Sequence, residues 1–144
     1  MTRAISRISF HQLKKISLPD RKQLKDFIIF KVRSEGLRLA SVDFVFCDDK
    51  YLHAINKQFL NHDELTDIVT FDLSEEKNVI VSEIYISVDR VTDNASHFEV
   101  PVVNELCRVM FHGILHLCGY NDKTEEELSE MRVKEAEWLT EYLI

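Results

Sequence analysis

With 144 residues, 45% of them hydrophobic, the chain is long enough to bury one substantial core and too short for two domains. A net charge of −7, with only three glycines and two prolines, excludes a uniformly basic nucleic-acid binder, a collagen-like repeat and a low-complexity linker. No apolar run approaches the roughly 20 residues of a bilayer span. No apolar signal segment follows the first residues, so a cytoplasmic protein away from membranes is expected.

Charge is unevenly distributed. Residues 1–40 hold ten Lys/Arg against three Asp/Glu, and the remainder hold eight against twenty-two. Arg3, Arg7, Lys14, Lys15, Arg21, Lys22 and Lys25 could form a basic face, but the solvated sides of a strand and a helix explain them more simply. Cys47, Cys107 and Cys118 are odd in number and lack a Cys-x-x-Cys pair, which fits reduced thiols.

Along the chain, Ile5, Ile8 and Phe10 predict a short first strand. Leu24, Phe27, Ile28 and Val32 recur at helical spacing between Pro19 and Gly36. Residues 37–46 alternate as a strand through Leu39, Val42, Phe44 and Phe46. Asp48 or Asp49 then caps a helix carrying Tyr51, Leu52, Ile55 and Phe59. A polar loop over 61–65 leads to strands over 66–73 and 79–87, joined through Glu75-Glu-Lys-Asn78. Residues 89–98 predict a short helix and 102–118 a buried apolar one. Thr124-x-x-Glu127 is a capping box opening a last helix, with Leu128, Met131, Leu139 and Leu143 facing inward. The expected fold is α+β: a single domain with a roughly four-stranded mixed sheet, about five helices, and the apolar helix central. Phe27, Phe44, Phe46, Phe111 and Trp138 are expected in the core.

That central helix carries the chemistry. His112 and His116, four apart, lie on one helical face and can grip one ion with little rearrangement. Gly119 can end the helix in the left-handed conformation that glycine adopts cheaply, after which the chain turns back and offers Asp122. Two imidazoles and a carboxylate suit zinc, one ion per chain, with a fourth position open to water as in catalytic sites. Gly113, costing about 1 kcal/mol in a helix interior, suggests a close approach beside His112. Cys118, two residues past His116, should point to another helix face and belong to the core.

The segment His112-Gly-Ile-Leu-His-Leu-Cys-Gly-Tyr-Asn-Asp122 resembles the H-G-x-L-H-L-x-G-Y-D-H signature of the YbeY family of bacterial single-strand-specific metallo-endoribonucleases. Upstream, Asn56-x-x-Phe59, Asp63 and Thr66-Asp-Ile-Val-Thr-Phe71 resemble its N-x-x-Y-R-x-x-D…T-D-V-L-S-F segment, and Glu83-Ile-Tyr-Ile-Ser87 its G-D-I-x-I-S strand. The resemblance covers essentially the whole chain. It implies a zinc-dependent hydrolase acting on single-stranded RNA, with a role in small-subunit ribosomal RNA 3′-end maturation and ribosome quality control. The implied partners are ribosomal RNA and the ribosome or proteins associated with it, with no DNA expected. The family's third histidine aligns with Asp122 and its arginine after N-x-x-Y with Leu60. If the chemistry is retained without that planar five-donor group, either another cation stands in, with Lys57 as a candidate, or the rate drops.

Two other readings compete. His-x-x-x-His-x-x-Gly-x-x-Asp has metzincin-like ligand spacing, but the glutamate base of those proteases is replaced by Gly113. A non-catalytic ribosome-associated zinc module is favoured by Leu60 and would need a fourth protein ligand. No general acid or base is assigned: Asp67 and Glu83 fit strand-end roles, His62 and Asp63 lie in the polar loop, and His11, His53 and His97 match no ligand spacing.

Overall fold

A computed structural model describes residues 5–61 and 66–143. Its elements run β1 (Arg7–Gln12), α1 (Arg21–Ser34), β2 (Arg38–Cys47), α2 (Asp49–Leu60), β3 (Ile68–Asp72), β4 (Val79–Ser87), α3 (Val88–Phe98), α4 (Val102–Leu117) and α5 (Glu125–Leu143). Strand order is β1-β2-β4-β3, with β1, β2 and β4 parallel and β3 antiparallel on the edge beside β4. The expected α+β arrangement of one four-stranded mixed sheet and five helices is what the described residues form. His62, Asp63 and the rest of the loop over 62–65 lie outside them, as does Arg3.

The helix ends follow local chemistry. Asp48, not Asp49, caps α2, its carboxylate accepting from Tyr51 N at 2.7 Å. Asp49 is thereby free to receive Arg90 Nε at 3.1 Å and Ser87 Oγ at 3.3 Å. At α5, Thr124 Oγ1 accepts from Glu127 N at 3.1 Å while Glu127 Oε1 accepts from Thr124 N at 3.0 Å, the reciprocal pair that the capping box demands.

One sheet face carries Leu39, Val42, Phe44 and Phe46 of β2 with Ile80, Ile84 and Ile86 of β4, buried under α1 and α4 in one cluster with Trp138 of α5. A register irregularity between Leu39 and Ser41 explains how Leu39 and Val42, an odd number of residues apart, reach the same face. The opposite face holds a smaller cluster of Cys47, Leu52, Ile55 and Val69 beneath α2.

Helix α4 is pressed hard against the sheet at Gly113, where a Cβ would meet Ile68 Cδ1 at 3.0 Å and Ile84 Cδ1 at 3.2 Å. The expected close approach is thus real, and its partner is the sheet. The last helix departs from expectation in phase. Leu128 and Leu143 are exposed, and the buried stripe is Met131, Glu135, Trp138 and Tyr142. A glutamate occupies one turn of that stripe, which is why a purely apolar pattern misplaces it. No helix of the described residues is long and apolar enough to cross a membrane.

Candidate metal centre

Helix α4 stops one residue past Leu117 through a tight C-terminal turn. Gly119 has φ +105°, its N–H bonding His116 O at 3.1 Å while Tyr120 N reaches Leu115 O at 3.1 Å. This is the double-bonded glycine cap, and it reverses the chain so that Asp122 returns toward the helix. Asp122 Oδ2 lies 3.4 Å from His112 Nε2.

His112, His116 and Asp122 all line one cleft of about 400 Å³. Helix α2 contributes Asn56 and Leu60, the β3 edge contributes residues 66–70, and Arg108, Lys123 and Arg132 supply its positive charge. His112 is mostly buried, whereas His116 is exposed. Among the described residues, no three His, Cys, Asp or Glu side chains converge to ligating distance. The structure brings His112 and Asp122 together and sets His116 on the same wall, one turn further on.

The donor chemistry fits a divalent cation on one observation in particular. His112 Nδ1 lies 2.6 Å from Glu135 Oε2, and a buried carboxylate there accepts the Nδ1 proton. With Nδ1 donating there, it is Nε2 that faces Asp122, the arrangement metal-binding histidines use. Burial pushes the Glu135 carboxyl up, but hydrogen bonds from His112 and Arg132 and the charge of Arg108 outweigh it and hold the group at about 2. Glu135 is therefore an anion at neutral pH.

Around it lies an ion network absent from the sequence reading. Arg108 donates from Nε and Nη2 to Glu105 at 2.7 Å each and from Nη1 to Glu135 Oε1 at 2.9 Å, with Asp67 Oδ2 3.9 Å from Nη2. Arg132 Nη1 reaches both Glu135 oxygens at 2.8 and 3.1 Å. The available signal was three charged residues, Glu105, Arg108 and Glu135, set within otherwise apolar helical faces, since buried charges are retained only when paired.

Other residues fall into place by contrast. Cys118 packs against the core, and burial pushes its thiol up to about 12, so no thiolate is available at neutral pH. Gly113 faces Ile68 and Ile84, so a base at that position would point into the core. Lys57 is exposed and does not line the cleft. Glu83 accepts from Tyr85 Oη at 3.4 Å, away from the cleft, whereas Asp67 lines it. His11 pairs with Asp43 at 3.0 Å, and His97 stacks edge-on against Phe98.

Residues 7–143 match the family model described as Endoribonuclease YbeY. A protein named Endoribonuclease YbeY from Amoebophilus asiaticus is 45% identical over 119 residues, spanning 83% of this chain and 81% of its own. Its namesake from Flavobacterium johnsoniae is 44% identical over 130 residues, spanning 90% and 93%. The solution structure of TM1509 from Thermotoga maritima superimposes with a TM-score of 0.66 at 29% identity, covering 94% of this chain and 89% of that one. With a family model matched over nearly its full length and relatives this similar, the chain belongs to the endoribonuclease YbeY family.

Proposed function

We propose that this family hydrolase works as one domain over residues 1–144 and cleaves single-stranded RNA in the cleft beneath α4, with one zinc ion held by His112, His116 and Asp122. The observation that carries the reading is the pairing of His112 Nε2 with Asp122 Oδ2 at 3.4 Å while Glu135 secures the far nitrogen of the same ring. A divalent cation bound there acidifies water, polarises a phosphoryl oxygen and offsets the charge that develops on it.

The chain's own residues do the rest. Glu135 fixes the tautomer and plane of His112. The turn at Gly119 delivers Asp122. The cleft suits a strand whose nucleotides are splayed, which a paired and stacked duplex does not offer. Asp67, on the cleft wall, is placed to orient substrate or water through its carboxylate. By family likeness the RNA is ribosomal, with the 3′ end of the small-subunit species as the processing site, and the setting is the cytoplasm in contact with ribosomes or proteins bound to them.

The protease and non-catalytic alternatives gain no support. Position 113 turns away from the cleft, and Cys118 is not available as a fourth ligand. The test is elemental analysis of the purified wild-type protein beside His116→Ala, together with cleavage of single- and double-stranded RNA by metal-loaded wild type and Asp122→Ala. Stoichiometric zinc that is lost on substitution, with single-strand cleavage only by wild type, is expected. Equal cleavage by wild type and Asp122→Ala would end the proposal.

A further inference from the structure

If the cleft processes RNA, it needs a protein cation for the phosphodiester, and at position 60 it carries a leucine lining the wall. Three cationic side chains among the described residues line the same space: Arg108, Lys123 and Arg132. They are not equivalent. Every guanidinium nitrogen of Arg108 is engaged by Glu105 or Glu135, and its side chain is 22% exposed. It pairs with both buried carboxylates, and its side-on Nε–Nη2 edge is already closed on Glu105, which leaves only single N–H groups on Nη1 and Nη2.

Lys123 sits in the turn beyond Asp122, exposed and with no side-chain partner among the described residues. An unanchored lysine forfeits rotamer entropy when it grips an anion. Arg132 differs from both. Its Nη1 is tied to the two Glu135 oxygens at 2.8 and 3.1 Å, its side chain is 53% exposed, and Nε and Nη2 have no partner among the described residues. Nε and Nη2 together form the side-on edge of the guanidinium fork, which matches two oxygens of a phosphate. The same Glu135 carboxylate also holds His112 at 2.6 Å. Arg132 is therefore fixed relative to the histidine through one shared anion, and its free edge has a set position in the cleft.

Resting on the RNA-cleaving reading above, we propose that Arg132 is the phosphate-binding residue of this cleft, gripping a backbone phosphate of single-stranded RNA in the place that Leu60 leaves without charge. The residue acts on substrate binding and on the register of the strand against His112 and Asp122. It does not complete the metal site.

The test measures binding of a fluorescent single-stranded oligoribonucleotide to the full chain in chelator, so that cleavage does not intervene, across a salt titration. The proteins compared are wild type, Arg132→Gln, Arg132→Lys, the double variant Arg132→Gln with Leu60→Arg, and Lys57→Gln. Arg132→Gln is expected to bind about tenfold more weakly, with the slope of log affinity against log salt reduced by about 0.7, the contribution of one phosphate on a single strand. Arg132→Lys recovers part of the affinity, as a point charge without the fork. Leu60→Arg restores affinity and slope in the Arg132→Gln background, which a merely structural role for Arg132 would not allow. Lys57→Gln binds as wild type.

Wild-type affinity and slope in Arg132→Gln overturn the assignment while leaving the nuclease reading intact. So does a loss that follows the melting midpoint and is not regained with Leu60→Arg. A wild-type chain that binds no single-stranded RNA in chelator overturns this assignment, while the nuclease reading stands or falls by cleavage of single-stranded RNA with the metal-loaded protein.

Discussion

Glu135 Oε2 stands 2.6 Å from His112 Nδ1, a contact between α5 and α4 that spans 23 residues of sequence. Because Arg108 and Arg132 converge on the same carboxylate, this single buried anion both orients the histidine and accepts from two guanidinium groups, of which Arg108 is also paired with Glu105. Replacing it by Gln keeps the shape and removes the charge. Loss of such an outer partner typically weakens metal binding 10- to 100-fold. Glu135→Gln is expected to show that loss in a zinc competition against a chromophoric chelator. Weakening the charge-assisted bonds that Glu135 accepts from Arg108, Arg132 and His112 should also destabilise the metal-free protein by about 1.5–3 kcal/mol in urea denaturation. Wild-type affinity in this variant would separate Glu135 from the metal site.

The same group sets an acid response. Its ordinary value is 4.5 and its folded value about 2, so the folded state holds the proton less tightly than the unfolded chain. The resulting stability is complete above about pH 4.5 and lost as pH falls toward 2. Converted by linkage it amounts to about 3 kcal/mol. Accordingly, the stability gap between wild type and Glu135→Gln should be constant above pH 5 and narrow progressively between pH 4.5 and 2. A gap independent of pH over that range would contradict the assignment.

Gly113 offers a test of how α4 meets the sheet. A Cβ there already touches Ile68 and Ile84 at 3.0 to 3.3 Å. Alanine trades that crowding against a helix-propensity gain of about 1 kcal/mol and should be close to neutral. Valine adds branches with no room and should cost about 1–3 kcal/mol. Gly113→Glu should unfold the protein or destabilise it strongly, and it should create no peptidase, because the carboxylate would enter the core. Peptidase activity in a folded Gly113→Glu variant would revive the metzincin reading.

Gly119 has φ +105°, where side-chain-bearing residues rarely sit. Gly119→Ala should cost roughly 1–2 kcal/mol through backbone strain. It should also weaken zinc binding, since the turn that returns Asp122 to His112 would have to relax. Calorimetric titration beside thermal denaturation distinguishes these effects, and an unchanged zinc affinity would show that the turn tolerates the distortion.

What is legible in the sequence is what local chemistry decides. The cap at Gly119 and the Thr124–Glu127 box depend on residues within a few positions of one another, and each forms as its pattern predicts, while His112 and His116 line one cleft. The phase of α5 is not legible in the sequence, because Leu128 and Leu143 satisfy an apolar pattern while Glu135 is buried through partners on α4, His112 and Arg108, as well as Arg132 of its own helix. The irregularity in β2 near Leu39 is likewise set by pairing with β4. Lys57 is exposed and away from the cleft, and the cations that reach the cleft come from α4, the following turn and α5, which only the tertiary fold brings together.

Strand β3 is the open rim of the sheet, and residues 66–70 along it flank the cleft. An edge strand with no further strand partner among the described residues is available to another copy's backbone, the usual starting point of edge-to-edge aggregation. Here it is only five residues long, from Ile68 to Asp72, with Asp67 just before it and Asp72 closing it. Two such copies aligned antiparallel would bring these acids face to face, so the exposed edge carries its own protection against self-association.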